Sequence, residues 1–187
     1  MDKGNSQHSR PRLLVILSGP LCAGKSTLAA CLHVHRRAAV ITAREILATL
    51  GSDPNDRLAL QARGAELELA TSGRWLLDGV IDRLASAEDS AHVFDSVRTL
   101  AQANLFKSNF PNSYLIHVTA AEPVLHKRFL ATVEGMASGE SGMNRAFSHE
   151  VERRADSVRA TADLIIDTTA KSITDVCGEA LLAIQAL

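Results

Sequence analysis

The chain predicts an α/β fold, a five-stranded parallel sheet with helices on both faces. Three observations predict it. Five short apolar runs, Leu13–Leu17, Ala39–Thr42, Ala91–Asp95, Ser113–Thr119 and Leu164–Asp167, have the length of buried strands. They alternate with segments of helical period, and that alternation gives parallel strands joined by helical crossovers. The first run passes through Ser18 into Gly19-Pro20-Leu21-Cys22-Ala23-Gly24-Lys25-Ser26, which fits G-x-x-x-x-G-K-[ST] at every fixed position, and an Ala- and Leu-rich helix follows.

Each residue type in that loop has a physical reason. Gly19 and Gly24 let the backbone turn its N–H groups inward, beside a variable residue, Ala23. The positive end of the next helix faces the same point. Lys25 brings a compact positive charge to phosphate, the Ser26 hydroxyl suits Mg²⁺, and Thr27 can bond an adjacent phosphate oxygen. The loop therefore points to a bound nucleotide.

The 187 residues predict a single domain over 12–187 behind a polar leader, 1–11, that reads as disordered. Hydrophobic residues make up 46% and charged residues 22%, ordinary for a globular protein. The net charge of −1 argues against a long nucleic-acid partner, although a local basic groove stays open. No apolar run approaches the roughly 20 residues that span a bilayer. Three cysteines without a C-x-x-C pair predict a reducing, cytoplasmic setting, with Cys31 and Cys177 as small core residues. Oligomeric state is not legible.

After the second strand, Thr42 reads as the N-cap of a helix begun by Ala43-Arg44-Glu45 and ended at Gly51. Asp53-Pro54 opens another, with Leu58, Ala62, Ala65 and Leu69 on one side. A third, Arg74 to Ala85, places Leu76, Leu77, Val80, Ile81 and Leu84 inward, with Trp75 as a packed edge aromatic. Residues 43–86 thus form a helical insertion suited to holding an acceptor. Upstream, His33 and His35 read as a helix-end pair.

The third strand ends in Asp95, placed to hold Mg²⁺ through water, and Arg98 follows where a guanidinium can grip a second phosphate. Thr99 to Phe110 reads as a helix, and Glu122-Pro123 starts one with Leu125, Phe129 and Leu130 inward and Arg128 elsewhere. The glycine- and serine-rich stretch Glu134 to Asn144 reads as a mobile loop, with Arg145, Arg153 and Arg154 at or just past its end. The final helix repeats Ile173, Val176, Cys177, Ala180, Leu181 and Ile184 on one face.

Together these residues resemble the P-loop nucleoside monophosphate kinases, the adenylate kinase-like group. Asp95-Ser96-Val97-Arg98-Thr99-Leu100-Ala101-Gln102-Ala103 looks like the D-G-F-P-R-T-L-x-Q-A stretch of adenylate kinases shortened by one residue. It is also similar to the D-G-[IV]-R stretch of dephospho-CoA kinases and phage-type deoxynucleotide kinases. Thr42 to Leu47 resembles the segment carrying an acceptor-binding arginine. Ser96 and Val97 stand where that group has Gly and Pro, and there is no long zinc-type lid.

The resemblance implies a P-loop NTPase core using ATP and Mg²⁺, with a short lid over about 131–147. Lys25 and the loop amides would hold the β- and γ-phosphates, Ser26 would ligate the metal and Asp95 orient its water. Arg44 and Arg98 would hold the acceptor phosphate. Arg128, with one or more of Arg145, Arg153 and Arg154, would close over the transferred group. The expected reaction is phosphoryl transfer from ATP to a ribo- or deoxyribonucleoside monophosphate. Two other readings stand beside it: a kinase acting on a hydroxyl of a nucleic-acid end or small molecule, with Asp95 taking the proton, and a non-catalytic nucleotide sensor.

Overall fold

The computed structural model describes residues 13–86, 91–148 and 156–185. The leader expected over 1–11, and the side chains of Arg145, Arg153 and Arg154, lie outside the described residues.

The five predicted strands are β1 (Leu13–Ser18), β2 (Ala39–Thr42), β3 (Ala91–Asp95), β4 (Ser113–Thr119) and β5 (Leu164–Asp167). They form one sheet in the order β2-β3-β1-β4-β5, every pair parallel. Side chains alternate across β1, and each face has its own core. Val15 and Leu17 pack with Leu28 and Leu32 of α1 (Lys25–Arg36) and with Ala180 and Ile184 of the last helix, α8 (Ile173–Gln185). Leu14 and Ile16 face the other way. There they join Ile46 of α2 (Ala43–Thr49), Leu76 and Val80 of α4 (Arg74–Ala85), and Phe106 of α5 (Leu100–Asn109). Phe106 stacks on Phe94 of β3 with ring centroids 5.1 Å apart. The central strand is therefore covered on both sides, as its unbroken apolar run requires.

Caps set the helix ends. Thr42 and Glu45 form a reciprocal capping box at the start of α2. Thr99 caps α5 through the amide of Gln102. The helix α3 (Arg57–Thr71) starts later than Asp53-Pro54: Asp53 closes a turn on the Asn55 amide, and Asp56 is the N-cap.

Several inward faces are corrected. On α3 the packed residue is Leu60, while Ala62 and Ala65 are exposed and Leu69 is 87% exposed. The side chain of Leu58 lies outside the described residues. Ala65 and Leu69 border an open cleft, so apolar character there is not core character. Ile81, Leu130 and Ile173 also end up exposed, at the edges of otherwise buried faces.

The stretch predicted as a loop from Glu134 is helical. It lies in α7 (Val133–Ser148), which follows α6 (Glu122–Leu130) and is interrupted at Gly139, φ 56° and ψ −149°. Glycine tolerates that break, so two helical turns meet at an angle where a flexible link was expected. A short 3₁₀ segment, Asp156–Thr161, precedes β5.

Cys31 and Cys177 are joined as a disulfide between α1 and α8, which corrects their reading as separate core thiols. Their separation of 146 residues hid the pairing; side-by-side packing of the two helices brings the Cα atoms to 6.1 Å. No described helix is long and apolar enough to cross a membrane.

Candidate functional site

The phosphate loop joins the carboxyl end of β1 to α1, and the rest of the site is arranged around it. Gly19 has φ 130°, and a Cβ there would stand 1.9 Å from the carbonyl oxygen of Val118 on β4. Only glycine lets the loop leave the sheet at that point. Gly24, φ 108°, is the N-cap of α1 and has open space where its Cβ would be. The Lys25 ammonium donates to the carbonyls of Gly19 at 2.8 Å and Pro20 at 2.7 Å, folding the side chain over the loop it serves.

Ser26 Oγ donates to Asp95 Oδ2 at 2.8 Å. These residues are 69 apart in sequence; β1–β3 pairing, with Leu17 opposite Asp95, brings them together. A hydroxyl beside a carboxylate at the mouth of a phosphate loop is a hard-oxygen pair. It fits Mg²⁺, which takes one or two protein oxygens and keeps several waters. Ser26 and Thr27 are exposed to the cleft, so both hydroxyls are reachable.

One continuous cleft of about 1170 Å³ runs from the loop across Asp95 to α2, α3 and α4. It gathers Gly24, Lys25, Ser26, Thr27, Arg44, Asp95, Arg98 and Arg128. Arg44, at the start of α2, and Arg98, three residues past β3, are both exposed into it. Ala23, fully buried, shapes the loop from behind with its side chain and faces Arg128 and Thr168 with its carbonyl.

Arg128 is deeply engaged. Its Nη1 donates to Thr168 Oγ1 at 2.8 Å and reaches the carbonyls of Cys22 and Ala23 at 3.3 and 3.4 Å. Its Nη2 donates to the Thr168 carbonyl at 2.9 Å. Thr168 Oγ1 in turn lies 2.9 Å from the Ala23 carbonyl. In this state Arg128 ties α6 to the back of the phosphate loop and to the segment after β5.

Sequence reasoning missed the network that fixes the Arg98 backbone. Gln102, 6% exposed, accepts from the Arg98 amide through Oε1 at 2.7 Å. Its Nε2 donates to Glu68 Oε2 on α3 at 2.8 Å, and Thr99 Oγ1 reaches Glu68 Oε1 at 3.3 Å. Gly73, φ 84°, packs against this pair, with Gln102 Cγ 3.0 Å from where a Cβ would stand. The Gln of the D-S-V-R-T-L-A-Q stretch was a legible signal; Glu68 and Thr168 carried none. Trp75 lines the same cleft half-buried, and no hydrogen-bond partner of its buried Nε1 is found among the described residues.

Neither a protein-family model nor a curated protein sequence matches this chain. Solved structures do match it. The chain is similar to a shikimate kinase from Bacteroides thetaiotaomicron, at 12% identity and TM-score 0.64 over 94% of this chain and 99% of that one. It is similar to a gluconokinase from Sinorhizobium meliloti 1021, at 13% identity and TM-score 0.61 over 95% and 93%. It is also similar to YorR from Bacillus subtilis, solved with phosphorylated GDP, at 19% identity and TM-score 0.53 over 92% and 95%. At these identities the likeness is one of fold, which this chain shares with these structures.

Proposed function

We propose that this protein transfers the γ-phosphoryl group of Mg²⁺-ATP to a ribo- or deoxyribonucleoside monophosphate. The observation that carries the reading is the sharing of one cleft by the Ser26–Asp95 pair and two exposed guanidiniums, Arg44 and Arg98. The first pair suits the donor side. The second suits an anionic acceptor, because a guanidinium matches phosphate bidentately. A cleft of about 1170 Å³ exceeds the usual range for one small ligand and leaves room for donor and acceptor together.

When bound, Mg²⁺ supplies charge screening between the phosphates. The chain's own part is positioning. The loop amides and the N-terminus of α1 hold donor phosphate, and Lys25 exchanges its carbonyl partners for phosphate oxygens. Arg44 and Arg98 hold the acceptor in line with it. An acceptor phosphate is already a nucleophile near neutral pH, so the reaction needs no strong base.

A second reading is favoured by the fold likeness to shikimate kinase and gluconokinase, whose names state non-nucleotide acceptors. In it Asp95 takes the proton of an acceptor hydroxyl and Arg44 and Arg98 hold a carboxylate or phosphate elsewhere on that molecule. An ADP-release assay with Mg²⁺-ATP separates the two. A panel of nucleoside monophosphates is run beside sugars and hydroxy acids, with Lys25→Ala as control. Turnover on a monophosphate supports the first reading; turnover only on a hydroxyl acceptor replaces it with the second.

A further inference from the structure

Where α1 and α8 meet at the wall of the nucleotide cleft, the fold assembles a group of ligands that the phosphoryl-transfer reading does not use. Cys31 and His35 lie one helical turn apart on α1, and such i, i+4 side chains share a face. Cys177 comes from α8, which packs alongside. One ligand atom from each, two sulfurs and an imidazole nitrogen, lie within 4.8 Å of one another. Tetrahedral coordination at ordinary zinc–sulfur and zinc–nitrogen lengths separates ligand atoms by about 3.5–3.8 Å. The three groups therefore converge closely enough for a small shift to seat one ion. The neighbouring His33 is committed elsewhere, its Nδ1 lying 2.9 Å from the Ala38 carbonyl at the end of α1.

We propose that Cys31, His35 and Cys177, with the disulfide reduced, form a zinc-binding site that ties α1 to α8. The inference rests on these three side chains and stands apart from the kinase reading. Two thiolates and one imidazole are a soft, borderline donor set that selects zinc over Mg²⁺ or Ca²⁺. His35 is exposed while Cys177 is buried, so the fourth position opens to solvent and takes water. Disulfide and metal are alternative closures of the same junction. A low-molecular-weight thiol supplies the two electrons that open the bond: two RSH become RSSR as the protein disulfide becomes two thiols. Metal binding then releases the two thiol protons.

The test uses the full chain, reduced with a phosphine, freed of reductant under inert gas, and titrated with Co²⁺ and then Zn²⁺. The account predicts stoichiometric Co²⁺ uptake with thiolate-to-cobalt charge-transfer absorption, displaced by Zn²⁺, and no uptake by the disulfide form. His35→Ala, a change at an exposed position that leaves the core intact, should weaken affinity about tenfold or more. Cys177→Ser should abolish the charge-transfer band. If the reduced chain binds no stoichiometric Co²⁺, or if His35→Ala binds within twofold of the parent, the site as drawn is wrong and the two cysteines serve as a disulfide alone.

Discussion

Arg128 and Thr168 grip each other twice, guanidinium Nη1 to hydroxyl at 2.8 Å and Nη2 to main-chain carbonyl at 2.9 Å, and both also reach the Ala23 carbonyl. The phosphate loop is thus held from behind by α6 and by the turn after β5. Replacing Thr168, 4% exposed, by Val removes the hydroxyl that bonds the Ala23 and Thr119 carbonyls and accepts from the guanidinium, leaving the 3.4 Å Arg128 contact as the remaining side-chain partner of the Ala23 carbonyl. The expected loss is about 1–3 kcal/mol of stability, read by denaturant unfolding. Arg128→Ala should weaken ATP binding by about tenfold or more through loosening of the loop, measured by calorimetry.

Gly19→Ala places a methyl group 1.9 Å from the Val118 carbonyl oxygen at a φ of 130°. Either β4 or the loop must move. The variant should lose about 3 kcal/mol or more and fail to bind ATP. Gly24→Ala has the same backbone problem, at φ 108°, without the clash, and should be milder in stability. Thermal midpoints of the two variants, compared side by side, check this order.

Ser26→Ala and Asp95→Asn each remove one member of the 2.8 Å pair. Each should lower turnover by about 10²–10³ while leaving the fold intact, and should raise the Mg²⁺ concentration needed for half-maximal rate. A Mg²⁺ titration of the initial rate reads both effects.

Most of this frame is legible in the sequence. The strands show as short apolar runs because a sheet covered on both faces must be apolar along its length, and β1 alternates Leu14 and Ile16 against Val15 and Leu17 into two cores. Thr42 as a cap was legible because capping is local chemistry. What was hidden depends on distant partners. The Cys31–Cys177 bond spans 146 residues, and Glu68 meets Gln102 only because α3 folds back over the loop after β3. The α3 face was misread because a helix beside a cleft exposes Ala65 and Leu69 for reasons periodicity does not encode. The segment from Glu134 was misread because glycine content signals a break, and a single break at Gly139 suffices.

At the start of α8, the Ser172 hydroxyl and then its amide hold the Asp175 carboxyl below its ordinary value of 3.8. Thr169 does the same for Asp167 after β5. A carboxyl whose folded pKa is lowered adds stability above its unfolded value, and that contribution is lost as pH falls through the lower folded one. Asp175→Asn should therefore lower the thermal midpoint at pH 7. The gap from the parent should narrow as pH falls below about 3.8, as scanning calorimetry across that range would read.

The most direct test of the central claim follows the phosphoryl group itself. The protein is mixed with γ-labelled Mg²⁺-ATP and each nucleoside monophosphate in turn, and the labelled product is separated. The account predicts a labelled nucleoside diphosphate with one or a few acceptors, and an acceptor KM raised about tenfold to a hundredfold in Arg98→Ala. Label appearing only as inorganic phosphate, or only on a hydroxyl acceptor, would contradict it.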